Sequence, residues 1–104
     1  MNKTLKFKGH FVEAILNHDK ITTTRLDDNK DLSVGDMVDF VNSETNERFA
    51  AGKITGIKII TFAEMVEDAK DKQGMYDQYK FYYNREIAPK DQVKVIDLQI
   101  IEKL

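Results

Sequence analysis

The chain has 104 residues, is 41% hydrophobic and 33% charged, carries a formal net charge of -2 and contains no cysteine. That length suits one domain spanning 1–104, and the composition is that of an ordinary globular protein rather than a disordered one. The missing cysteine excludes disulfides and thiolate metal sites, no apolar run is long enough for a membrane span, and the near-neutral charge excludes whole-molecule steering toward nucleic acid, so any phosphate must meet a local patch.

Taken in order, Leu5 and Phe7 alternate with Lys6 and Lys8. Period two means a half-buried strand with a basic outer face, as an edge strand guarded by lysines also has. Gly9 ends it. Phe11, Val12, Ile15 and Leu16 recur at helical spacing, which predicts a helix over His10 to Asn17. Asn17-His18 suits a left-handed cap. The two histidines, His10 and His18, have no third partner and read as helix-end residues rather than metal ligands.

Lys20 to Leu26 is β-branched and reads as a strand, but a very polar one. It is either an edge facing water or the wall of a polar cleft. Asp27 to Asp31 is a solvated loop, and Leu32 to Asp36 a turn into a strand at Met37 to Val41. A polar hairpin loop from Asn42 to Arg48 leads into a long β-branched run from Phe49 to Ile60. Its apolar face switches near Gly56, which predicts a β-bulge at Thr55-Gly56. Thr61-Phe62-Ala63-Glu64 is a capping box, and Phe62, Met65, Val66 and Ala69 follow at helical spacing. Asp71-Lys72-Gln73-Gly74 breaks that helix. Met75 to Asn84 forms a second, aromatic-rich one, and Val93 to Ile101 a last strand with both faces covered.

Few strands, short connections between the middle ones and two to three helices point to an α+β fold. The economical form is a small, partly open β-barrel of about five to six mostly antiparallel strands with helices at its ends.

The order of Ile15-Leu16, Lys20-Ile21-Thr22-Thr23-Thr24-Arg25, Gly35-Asp36 and the closing Gln92 to Leu98 resembles the ASCH domain, a branch of the PUA-like superfamily. His18 stands where that family usually has glycine. The resemblance implies an RNA- or nucleotide-binding module whose cleft is lined by the Lys-to-Arg strand. Some small bacterial ASCH proteins are amidohydrolases that remove the acetyl group from N4-acetylcytidine. They use a lysine, a threonine three residues on and a glutamate in the helical insert. Lys20 and Thr23 match the first two. Gln73 stands at the matching place for the glutamate, with Glu67, Asp68 or Asp71 as acidic neighbours.

Attack on an amide carbonyl needs a nucleophile, a base and donors for the oxyanion. Thr23 could supply the hydroxyl and Lys20, if desolvated, the base. Gln73 cannot pass a proton, and losing a general acid/base costs about 10²–10⁴ in rate. In a regular strand Lys20 and Thr23 face opposite sides, whereas Thr23 and Arg25 share a face. Arg25 then lines the cleft with Thr23 or pairs with a carboxylate of the insert. The aromatic cluster Tyr76, Tyr79, Phe81, Tyr82 and Tyr83 could stack bases, Tyr79 or Tyr83 foremost, although aromatics at helical spacing more often pack a core. The expectation is a cytoplasmic binding module for RNA or a modified nucleoside, contacted by Lys20, Thr23, Arg25, Gln73 and Tyr79, with no cofactor, metal or membrane. The alternatives are an amidohydrolase and a structural or protein-interaction domain.

Overall fold

In a computed structural model that describes residues 3–26 and 30–104, eight elements follow one another. They are β1 (Lys3–Phe7), α1 (Gly9–Leu16), β2 (Lys20–Leu26), β3 (Met37–Asn42), β4 (Arg48–Thr61), α2 (Phe62–Met65), α3 (Lys72–Tyr83) and β5 (Gln92–Lys103). The strands form one sheet in the order β1-β3-β4-β5-β2. β1 runs parallel to β3, and every other neighbour pair is antiparallel. The result is a five-stranded half-barrel with three helices, an α+β fold with β1 and β2 as its free edges.

β4 and β5 are the spine, paired from Ala50–Lys103 to Thr61–Gln92. Their register shifts between Ile54 and Gly56, at the bulge expected there, and again between Ala51 and Gly52. The second shift falls at a close approach. A side chain at position 52 would bring its Cβ to 2.7 Å from the Gln99 carbonyl oxygen and 2.8 Å from Phe40 Cζ. Glycine lets the sheet bend over that ring.

Two apolar clusters fill the molecule. Leu5, Phe7, Val38, Phe40, Ile54, Ile96 and Leu98 form the first, closed by Ile15 of α1. Within it Phe40 meets Phe7 edge-on at 5.4 Å and Phe49 at 6.1 Å between ring centres. Leu26, Phe62, Val66 and Val93 form the second, covered by α3 through Tyr76, Tyr79 and Tyr83. β5 thus serves both clusters, Ile96 and Leu98 on one face and Val93 on the other.

Three local expectations need correction. α1 ends at Leu16, and Asn17 has φ -84°, so no left-handed cap follows it. The capping box forms, with Glu64 N–H donating to the Thr61 hydroxyl and Thr61 N–H to the Glu64 carboxylate, both at 3.1 Å. Yet α2 stops after Met65. Short bonds from Glu67 N–H to the Glu64 carbonyl and from Ala69 N–H to the Val66 carbonyl replace helix. These turns still deliver Val66 and Ala69 to the second cluster, which is what the periodicity recorded. Asp71 to Gly74 does not separate two helices but opens α3, where the Asp71 carboxylate accepts the Gly74 N–H at 2.9 Å. α3 ends with Asn84 at φ 55°, in the left-handed region. The loop expected from Asp27 to Asp31 lies partly outside the described residues.

No helix among the described residues is long and apolar enough to cross a membrane. No cluster of three or more potential metal-ligating side chains occurs among them either.

Gly52→Ala should destabilise the fold by about 1–3 kcal/mol, because both neighbours of the new Cβ belong to the spine and the core. An unchanged urea midpoint would contradict the close approach. Three carboxylates also tie stability to pH. Lys3 and the Ser33 N–H hold Asp36 below the usual range, the Thr61 N–H and hydroxyl do so for Glu64, and the Ala88 N–H and Arg85 for Asp91. Lowered folded values mean that the unfolded chain binds more protons in acid. The contribution is complete above the ordinary values of 3.8 and 4.5 and is lost as pH falls through the lower folded ones. The melting temperature should stay level from neutral pH to about 5 and fall below about 4.

Candidate functional site

β2 pairs with β5 along one side only, from Lys20 opposite Gln99 to Leu26 opposite Val93, with no break in register. The strand is therefore regular and its faces alternate. Ile21, Thr23 and Arg25 lie on the face of the first cluster, beside Leu98, Ile96 and Lys94. Lys20, Thr22, Thr24 and Leu26 lie on the other. Leu26 is buried in the second cluster.

The free side of β2 looks across to β1 over an open cleft of about 530 Å³, with α1 and α3 as its remaining walls. Four cations line it: Lys6, Lys8, Lys20 and Arg25. No carboxylate is among the described residues that do. The Arg25 guanidinium donates to the Lys6 carbonyl at 2.9 Å and lies 4.9 Å from the centre of the Phe7 ring. It therefore bridges the two edges of the sheet and makes no ion pair with an acid of the insert. The Lys8 ammonium sits 5.1 Å from the centre of the Tyr82 ring.

Hydroxyls supply the rest of the polarity. Thr24 and Tyr79 share a hydrogen bond at 3.3 Å. The Leu26 N–H, an edge amide without a strand partner, donates to the Tyr83 hydroxyl at 3.2 Å. Burial pushes the Tyr83 phenol up from its ordinary range, against the opposing pull of that N–H. Thr22 donates to the Asp97 carboxylate at 2.7 Å across the β2–β5 pair. At the end of α1, His18 Nδ1–H donates to the Ala14 carbonyl at 2.7 Å. That bond occupies Nδ1 and leaves Nε2 as the ring nitrogen at the cleft wall.

Tyr79 packs against Phe62 at 5.0 Å and Tyr83 at 6.0 Å. Its ring is half-buried, as is that of Tyr83. Tyr82 is 56% exposed and is the most open of the three α3 tyrosines that line the cleft. Tyr79 and Tyr83, the rings expected to be free for stacking, are instead engaged with the second cluster.

The half-barrel matches solved structures along its whole length. The hypothetical protein PH0355 superposes with a TM-score of 0.69 at 24% identity, over 97% of this chain and 100% of its own. The ASCH domain from Lactobacillus crispatus JV V101 gives 0.62 at 12% identity, over 96% and 80%. The ASCH protein of Zymomonas mobilis gives 0.64 at 11% identity, over 96% and 71%. This chain has the ASCH fold. No family model matches it, and no curated protein matches it closely.

Within this ASCH fold Lys20, Thr23, Arg25 and Tyr79 come together on the cleft wall. Gln73 does not. It lies in the first turn of α3, exposed, with its amide donating to Asp77 at 3.0 Å. Tyr79 is six residues further along, about 9 Å down the helix axis. Glu67 is exposed in the turn after α2, and Asp71 caps α3. None of the three is among the residues lining the cleft. Among the described residues, the acid that does reach a β2 side chain is Asp97, which sequence reasoning passed over. His18 and Gln78 were also passed over as site residues, and Tyr82 was placed behind Tyr79 and Tyr83. The pair Gln78 and Tyr82 carries a signal, being one turn apart on the flank of α3.

Tyr83→Phe should cost about 1 kcal/mol in urea denaturation, because it leaves the Leu26 N–H without its acceptor at a half-buried edge. A neutral result would mean that water takes the place of the hydroxyl there.

Proposed function

We propose that the cleft binds RNA or a nucleotide, with Lys6, Lys8 and Lys20 meeting phosphate and Tyr82 offering a ring to a base. The observation that carries this reading is the set of four cations, with no acid among the described lining residues, beside an exposed aromatic side chain. The net charge of -2 gives no general attraction for polyanions, so the attraction has to be local. Thr23 and Gln78 add neutral donors and acceptors for a base edge or a ribose hydroxyl. The ASCH fold supports the same reading. Arg25 contributes charge while its guanidinium holds the sheet edges together.

Fluorescence anisotropy with short single-stranded RNA tests this. Three phosphate contacts predict a slope of log affinity against log salt of about -2, and each of Lys6→Gln, Lys8→Gln and Lys20→Gln should reduce its size by about 0.7. Binding that ignores both salt and these substitutions would sink the assignment.

A second reading, an amidohydrolase acting on an N4-acetylcytidine-type nucleoside, draws on one contact. Thr22 donates to a carboxylate at 2.7 Å and shares its strand face with Lys20, whereas Thr23 has neither relation. Incubation with N4-acetylcytidine separates the readings. The binding module releases no cytidine, whereas turnover abolished by Thr22→Val and spared by Thr23→Val would make the chain an enzyme with Thr22 at its centre.

A further inference from the structure

Phe81 is 90% exposed, more than any other large apolar side chain among the described residues. It belongs to neither apolar cluster, since α3 meets the second through Tyr76, Tyr79 and Tyr83. Its place on α3 is at the rim of the cleft. Gln78 and Tyr82 line the cleft. At roughly 100° per residue the order around the helix runs Tyr82, Gln78, Phe81, Asp77. Residues three apart on a helix are surface neighbours, about 5–6 Å between Cβ atoms, so Phe81 is the next side chain outward from Gln78.

We propose that Phe81 is a base-stacking subsite outside the cleft, taking a second base of a single-stranded nucleic acid whose first base lies on Tyr82. The proposal rests on the binding reading above and adds to it a ligand longer than one nucleotide. Three observations favour this occupant over a protein partner. Its neighbours Asp77, Gln78 and Lys80 are polar and exposed, so the apolar area it adds is that of one ring, suited to one base and far below the few hundred Å² of a protein contact. It continues a wall that already holds a ring and cations, with Lys8 against Tyr82. The Asp77 carboxylate lies on the far side of Phe81 and repels phosphate, which confines the backbone to the side of Lys6 and Lys8. Stacking on phenylalanine uses the face that every base has, so the subsite reads length and not sequence.

Phe81→Ala removes a side chain that supports neither cluster, and its urea midpoint should equal that of the parent. Affinities for a mononucleotide and for oligouridylates of increasing length are measured with both proteins. The expected result is unchanged mononucleotide binding and a loss of roughly 5- to 150-fold for the longer strands, restored by Phe81→Trp. Equal weakening for all lengths, or no change for any, overturns the subsite while leaving the cleft reading in place. A parent protein that binds neither ligand overturns both. A self-associating parent that becomes monomeric on Phe81→Ala assigns the ring to contact between copies and overturns the subsite.

Discussion

The sheet curls through five strands and stops before it closes, so β1 and β2 face each other with unpaired peptide groups. An open edge has to be satisfied or hidden. Side chains do it here. The Thr4 carbonyl of β1 accepts from Lys30, the Lys6 carbonyl from Arg25, and the Leu26 N–H of β2 donates to Tyr83. α1 and α3 occupy the space that further strands would fill. The cleft is the remaining part of that gap, and its chemistry follows from the polar groups that an unclosed sheet keeps at its edges.

That origin explains why one strand carries so much polarity. β2 is buried only at Leu26 and half-buried at Ile21, Thr23, Thr24 and Arg25. Its threonines satisfy the β-branched preference of a strand and still offer hydroxyls. Lysines on β1 meet the need to guard an edge and place positive charge at the cleft by the same act. Arg25 combines the two roles in one side chain, since its guanidinium both holds β1 and charges the wall.

Binding and catalysis differ here by the position of one carboxylate. Gln73, Glu67 and Asp71 belong to the insert, and α3 directs only its later turns, from Gln78 to Tyr83, at the cleft. The carboxylate that touches β2 comes from β5, and it holds Thr22 rather than Thr23. Proton transfer needs an acid or base within hydrogen-bond reach of the reacting group, and on this wall the nitrogen groups of His18 and Lys20 are the candidates that the lining offers.

Much of this was legible in the residues alone because it is local. Alternation marked β1 and β3, β-branched residues marked β2, the switch of face near Gly56 marked the bulge, and the Thr61 to Glu64 box marked the start of α2. The ordered motifs also pointed to the ASCH fold, and the Lys20 to Arg25 strand to a cleft wall. The rest is long-range. That α2 ends after one turn is invisible to periodicity, because Val66 and Ala69 reach the second cluster from turns as well as from a helix. Which of the α3 tyrosines stay open depends on Phe62, far away in sequence. The pairing of Thr22 with Asp97 is a matter of β2–β5 register, separated by 75 residues. Periodicity records which face of an element is apolar, because that follows from neighbours a few residues apart. Which acid meets which hydroxyl across an open barrel was decided only when the strands paired, because nothing local to either residue encodes the other.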